Sequence, residues 1–178
     1  MTRRLFIFDE PDHFLAAAVG EPGSRSFFLQ ARQGGAVVTL GIEKTQVAAL
    51  AQRIGELLVA AEQPTSLAPS LRGAVSEPVE PRTELFRIGL LAIGWDGDGS
   101  ALTVEARPID EDGEYAEVAD DDPTGPDLLR VRLSPSEGLQ FANAAATLVS
   151  AGRPACPFCG QPLDPSGHFC PRSNGHLN

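Results

Sequence analysis

Apolar and polar positions near the N-terminus follow the period of two that marks strands. Arg4–Phe8 is a short apolar run. Asp9-Glu-Pro-Asp12 is a turn signal, and His13–Val19 can return as the second arm of a hairpin. Glu21-Pro-Gly-Ser24 breaks the chain, and Arg25–Arg32 then sets Phe27, Leu29 and Ala31 on one face. Gln33-Gly-Gly35 turns tightly into Ala36–Ile42. These four segments predict an antiparallel meander.

The period then changes. Val47, Leu50, Ala51, Ile54, Leu57, Leu58 and Ala61 form one stripe at helical spacing, with Glu43 suited to the positive end of the helix dipole and Pro64 beyond its end. Pro64–Pro81 holds four prolines with Ser, Thr and Gly and reads as a linker or long surface loop. Glu84–Gly94 is apolar on both faces, the pattern of a central strand. Asp96-Gly-Asp-Gly99 turns it into Ala101–Pro108, where Leu102, Val104 and Ala106 face inward. Residues 110–127 are acidic and read as a mobile loop with at most a short strand near Tyr115. Leu128–Leu133 is another strand. Ser134-Pro135-Ser136-Glu137 then carries the signature of a capping box with proline at the first helical position. Leu139, Ala142, Ala145 and Val149 give that helix its stripe, broadened by Phe141 and Leu148, and Gly152 and Pro154 stop it.

The fold class expected is α+β: an antiparallel sheet built from two meander-plus-helix halves, followed by a C-terminal zinc knuckle. The divisions are 1–63, a Pro-rich linker at 64–82, 83–152, and the knuckle at 153–178. A degenerate repeat is a candidate. At an offset of 91 residues Leu40 meets Val131, Ile42 meets Leu133, Leu50 meets Phe141 and Ile54 meets Ala145. Any strand-to-helix joint also produces such matches. If the repeat is real, the cleft between the halves is the first place to seek a ligand.

Composition narrows the classes. The apolar fraction of 42% supports a real core, and no apolar run approaches the ~20 residues that span a bilayer. The apolar stretch behind Arg3 and Arg4 is too short for a signal peptide. The net charge of -10 is mostly local: nine acids between Asp110 and Asp127 have no base among them, and the remainder, 15 acids against 14 bases, is near neutral. Diffuse attraction to nucleic acid or anionic lipid is therefore unsupported.

The chemistry is concentrated at the end. All three cysteines fall in Cys156-Pro-Phe-Cys159-Gly160 and His168-Phe-Cys170. Two thiols two residues apart, a third about ten residues on, and histidines beside it match the ligand set of tetrahedral Zn²⁺. The metal ligands expected are Cys156, Cys159, His168 and Cys170, with His176 as the alternative fourth. Four ligands close the sphere, so the zinc is expected to be structural rather than catalytic. Cysteines held as metal ligands suit a reducing cytoplasm.

Other features are weaker. Arg87 and Arg107, on adjacent predicted strands, could hold a phosphate or carboxylate, although pairing with Glu84 or Glu105 explains them as well. Asp9, Glu10, Asp12 and His13 could serve metal binding or acid–base chemistry, or simply a turn. Asp96-Gly-Asp98-Gly-Ser100 resembles the start of a calcium loop but lacks its later acids, so a hairpin turn is expected. Asp120-Asp-Asp122 reads as solvated loop or as a dock for a basic partner.

Phe28-Leu-Gln-Ala-Arg32, Glu43-Lys44 leading into Gln46-Val-Ala-Ala-Leu50, Leu91–Trp95, Arg130-Val-Arg-Leu133 and the tail through Cys170-Pro-Arg-Ser-Asn-Gly175 together resemble an actinobacterial conserved family of unknown function with a C-terminal Cys/His zinc knuckle. The resemblance implies a bacterial cytoplasmic protein. In that family an aromatic often stands where this chain has His176, which supports His168 as the ligand. It implies no activity. The leading expectation is a non-enzymatic binding or adaptor module with a protein partner and no membrane association. The second is an enzyme, or a binder of a small anionic ligand, using the cleft between the halves. A nucleic-acid-associated zinc protein comes third, because the tail carries only Arg153 and Arg172.

Overall fold

The computed structural model describes residues 3–21, 23–63, 77–78, 83–109, 125–152, 155–160, 170 and 172. Seven strands and two helices are present among them: β1 (Leu5–Phe8), β2 (His13–Val19), β3 (Ser26–Gln33), β4 (Ala36–Ile42), α1 (Lys44–Ala60), β5 (Ile88–Trp95), β6 (Leu102–Pro108), β7 (Leu128–Leu133) and α2 (Pro135–Ser150). The architecture is α+β, with two sheets where one was expected. One has the order β1-β7-β6-β5 and the other β2-β3-β4. They meet where β4 pairs in parallel with the residues leading into β5. Leu85 N donates to Thr39 O at 2.8 Å and Gly41 N to Phe86 O at 2.9 Å.

Two placements differ from the sequence reading. β1 does not form a hairpin with β2. It runs parallel to β7, with Leu5 opposite Leu128 and Phe8 opposite Val131. The Asp9–Asp12 turn instead carries the chain between sheets. Asp12 N donates to Arg32 O and its carboxylate accepts from Gly34 N, while the far end of β1 is held by Arg4, which donates to the Asp127 carboxylate. β5 is also not central. It is an edge of the four-stranded sheet, and the residues just before it, Leu85 to Arg87, are the ones that meet β4. The linker 64–82 lies almost wholly outside the described residues, and so does the acidic stretch with the expected strand near Tyr115.

The helices form where the period predicted them. In α1, Val47, Leu50, Ala51, Ile54 and Leu58 are buried. Glu43 is its N-cap, and Glu43 N donates to Gln46 Oε1 at 3.0 Å. In α2, Leu139, Phe141, Ala142 and Ala145 are buried, and Ser134 caps the first turn: its hydroxyl accepts from Glu137 N at 3.3 Å and its N–H donates to Glu137 Oε2 at 2.7 Å. The helices pack against each other, and side chains from both sheets complete one core around Leu29, Leu40, Val104 and Val131. Phe14 of β2 stacks on Phe141 of α2 at 4.8 Å between ring centroids, tying the second helix to the first sheet. Leu40 with Val131, Ile42 with Leu133, Leu50 with Phe141 and Ile54 with Ala145, the pairs matched at the 91-residue offset, are all buried.

The β5–β6 turn is a polar knot rather than a calcium loop. Asp96 Oδ1 accepts from Ser100 N at 2.8 Å and from Ala101 N at 3.0 Å, and its Oδ2 accepts from Arg132 Nη2 at 2.6 Å. These donors, led by the Ala101 N–H, hold the Asp96 carboxyl well below the ordinary 3.8. A depressed carboxyl contributes stability that is complete above its unfolded value and fades as pH falls below it. Asp96→Asn should therefore destabilise the protein at pH 7, with the gap to the parent closing as urea denaturation is repeated from pH 5 downward. A gap that stays constant with pH would assign the effect to something other than the charge. Ser134→Ala should cost about 1 kcal/mol in the same measurement through the lost cap.

Candidate metal centre

The chain leaves α2 through Ala151, whose N–H donates to Thr147 O at 2.9 Å and whose carbonyl accepts from Arg25 Nη1 at 3.0 Å. That tie fixes the end of the helix to the segment that opens β3. The Cys156–Gly160 turn follows shortly after. Gly160 N donates to Cys156 O at 2.8 Å, and Gly160 holds φ +76°, a left-handed conformation that costs glycine little. The turn sets Cys159 beside Cys156, and Cys170 completes the group. The three Sγ atoms lie within 4.8 Å of one another, with Cys156 and Cys170 3.8 Å apart. Arg172 Nη1 donates to Phe158 O at 3.3 Å, a tie to the first turn from two residues beyond Cys170.

Cys156 and Cys170 are buried and Cys159 is half-buried. The separation of 3.8 Å is far beyond the ~2.05 Å of a disulfide, and none of the three cysteines is disulfide-bonded. Sulfurs converging in this way can hold a metal ion. Among the described residues this is the one group of His, Cys, Asp and Glu side chains arranged to do so. His168 and His176 lie outside the described residues.

Most of the other candidates have partners of their own. Arg87, just before β5, donates to Glu43 Oε1 at 2.7 Å and approaches Glu84 Oε1 at 3.4 Å. Arg107 sits on β6 beside Glu105 at 3.2 Å, and Arg130 shares that carboxylate at 2.7 Å. Asp9 and Glu10 face a shallow hollow of about 280 Å³ with Arg132 and Glu137. Asp12 caps the β3–β4 turn through Gly34 N, and His13 Nε2 lies 3.2 Å from Gln30 Oε1. Gln30 in turn donates to Thr39 Oγ1 at 2.9 Å, so His13 ends a polar chain crossing all three strands of its sheet. Burial lowers the affinity of His13 for a proton, partly offset by the Gln30 contact.

A cavity of about 540 Å³ does lie between the two halves, and Arg87 is on its wall. Arg25 and Lys44 line it too, and neither is among the ligand-binding candidates read from the sequence. One signal was available for Lys44: it is the only lysine among 14 basic residues.

The fold and site define a two-sheet, two-helix α+β protein with a C-terminal three-cysteine cluster. The chain belongs to the family described as protein of unknown function DUF3090, whose family model matches residues 6–170. Neither the curated proteins nor the solved structures searched contain a match. Among the described residues no helix is long and apolar enough to cross a membrane.

The main hydrophobic core contains no cysteine. Cys159→Ser should therefore leave the far-UV helix signal intact while Cys156 and Cys170 react faster with a thiol reagent. Loss of the helix signal would show that the cluster is integral to the core.

Proposed function

We propose that Cys156, Cys159, Cys170 and His168 hold one zinc ion in a structural role, and that the protein works as a bacterial cytoplasmic binding or adaptor module rather than as an enzyme. The carrying observation is the 3.8 Å between Cys156 Sγ and Cys170 Sγ. Two sulfurs each ~2.3 Å from a tetrahedral zinc stand ~3.8 Å apart. The turn that spaces Cys156 from Cys159, and the burial of two of the thiols, suit an ion that holds backbone together. Catalytic zinc needs an open position and a poised base, and three thiolates with an imidazole would leave neither room nor strong Lewis acidity for that.

A protein is the partner this reading favours. Phe158 is 62% exposed at the tip of the knuckle, on a backbone clamped by Arg172, and a rigidly presented aromatic is a common anchor in protein interfaces. The same reading takes the two halves as a degenerate repeat, since each antiparallel run of three strands, β2-β3-β4 and β5-β6-β7, leads directly into a helix.

Protein purified without added metal should contain about one zinc per chain by elemental analysis, and a metal-free preparation would refute the site. His168→Ala should then lose zinc to a chromophoric chelator faster than the parent, with His176→Ala unchanged. The reverse order would move the fourth ligand to His176.

A further inference from the structure

The inter-half cavity is built from parts distant in sequence. The first turn of α1, the last turn of α2, the start of β3 and Arg87 converge on it. Among the described residues, Arg25, Lys44 and Arg87 contribute three positive charges to its lining and Glu43 one carboxylate, with Glu84 also 3.4 Å from Arg87. The Glu43 carboxylate is engaged by Arg87 at 2.7 Å. Arg25 gives one N–H to Ala151 O, and Lys44 has no partner among the described residues. A Cβ added to Gly152 would lie 3.0 Å from Lys44 Nζ, which puts the ammonium at the end of α2, near the Arg25 tie. Phe27, Leu148 and Val149 supply apolar wall, the last two only partly buried. The net charge of -10 makes such a local excess of cations unexpected from composition.

We propose that this cleft binds a small organic anion. Its carboxylate, sulfonate or phosphate group sits between Arg25 and Lys44, and its apolar body lies against Leu148 and Val149. The volume suits a molecule of one or two rings. Charge-assisted hydrogen bonds from a guanidinium and an ammonium fix the head group, and apolar contact adds affinity without direction. The site stands apart from the metal centre, because none of the cysteines lines it. The competing account is that both cations merely answer the negative end of α2, whose last turn has no basic residue of its own.

The two accounts separate in one experiment. The probe is 8-anilinonaphthalene-1-sulfonate, a sulfonate on an apolar aromatic body, titrated into the folded full chain at low salt. Saturable binding at one site per chain is expected, weakened about tenfold in Lys44→Gln and in Arg25→Gln. It should be retained in Lys44→Arg and in Arg53→Gln, the latter on the exposed face of α1. Sodium sulfate should displace the dye, and Cys159→Ser should still bind it. Thermal melts of each variant report whether the fold survives. The proposal is overturned if the native chain shows no saturable site, or if Lys44→Gln binds as well as Lys44→Arg. It is also overturned if Arg25→Gln and Lys44→Gln lower the melting temperature while leaving dye affinity unchanged, which would make the cations helix ties only.

Discussion

The contact between α1 and α2 is the interaction on which the other placements rest. Each helix directly follows the last strand of an antiparallel run, and each brings one apolar stripe. Laid together, the stripes bury Ile54 and Leu58 with Phe141 and Ala145, and the sheets close over them. Small residues make the approach close. A Cβ on Gly138 would stand 2.6 Å from Leu102 Cδ1 and 3.4 Å from Ile54 Cγ2, so a side chain there would require Leu102 to shift. Each large apolar side chain buried in that space contributes about 1.5–3 kcal/mol. The two sheets share only a short parallel contact at Gly41 and Arg87, so the helices supply most of what unites them.

That packing decides where the polar features fall. Because α1 begins beside the end of α2, Lys44 and Gly152 become neighbours across more than a hundred residues. The cavity lies where the start of α1, the end of α2 and the start of β3 converge. Because α2 ends at the surface, tied by Arg25, the cysteine turn begins outside the core and must be organised by its own interactions. The cysteines lie outside the main apolar core, whereas the cleft opens onto it through Phe27 and Ile42.

What the sequence disclosed follows the range of the signal. Both helices were legible because a 3.6-residue period and a Ser134–Glu137 cap act within a few residues. The β2-β3-β4 meander and the Asp96 turn were legible for the same reason. The partner of β1 was not, since a parallel pairing with β7 joins residues 123 apart and leaves no local mark: Asp9–Asp12 has the composition of a hairpin turn whether or not the strands pair. Glu84–Gly94 misled in another way. Leu91, Ile93 and Trp95 pack against the core, while Leu90 on the other face is only half-buried and Ala92 is exposed, so the second apolar face did not mark a central strand. The cysteines were legible because ligand spacing is itself short-range, whereas Arg25 and Lys44 gain meaning only from a tertiary neighbour.

Charge shows the same division between local and global. A total of -10 argues against polyanionic partners as a class, because long-range attraction follows the sum. Beyond about 8–10 Å at physiological salt that sum is screened, and a bound molecule feels only its immediate lining. At the end of α2 that lining is cationic, with Glu43 already committed to Arg87. Several other described cations are matched by acids: Arg132 by Asp96, Arg130 and Arg107 by Glu105, Arg4 by Asp127. An acidic protein can therefore present one site suited to an anion. Such a site would suit small ligands that reach it by diffusion, since the charge outside residues 110–127 is near neutral and offers large polyanions little long-range attraction.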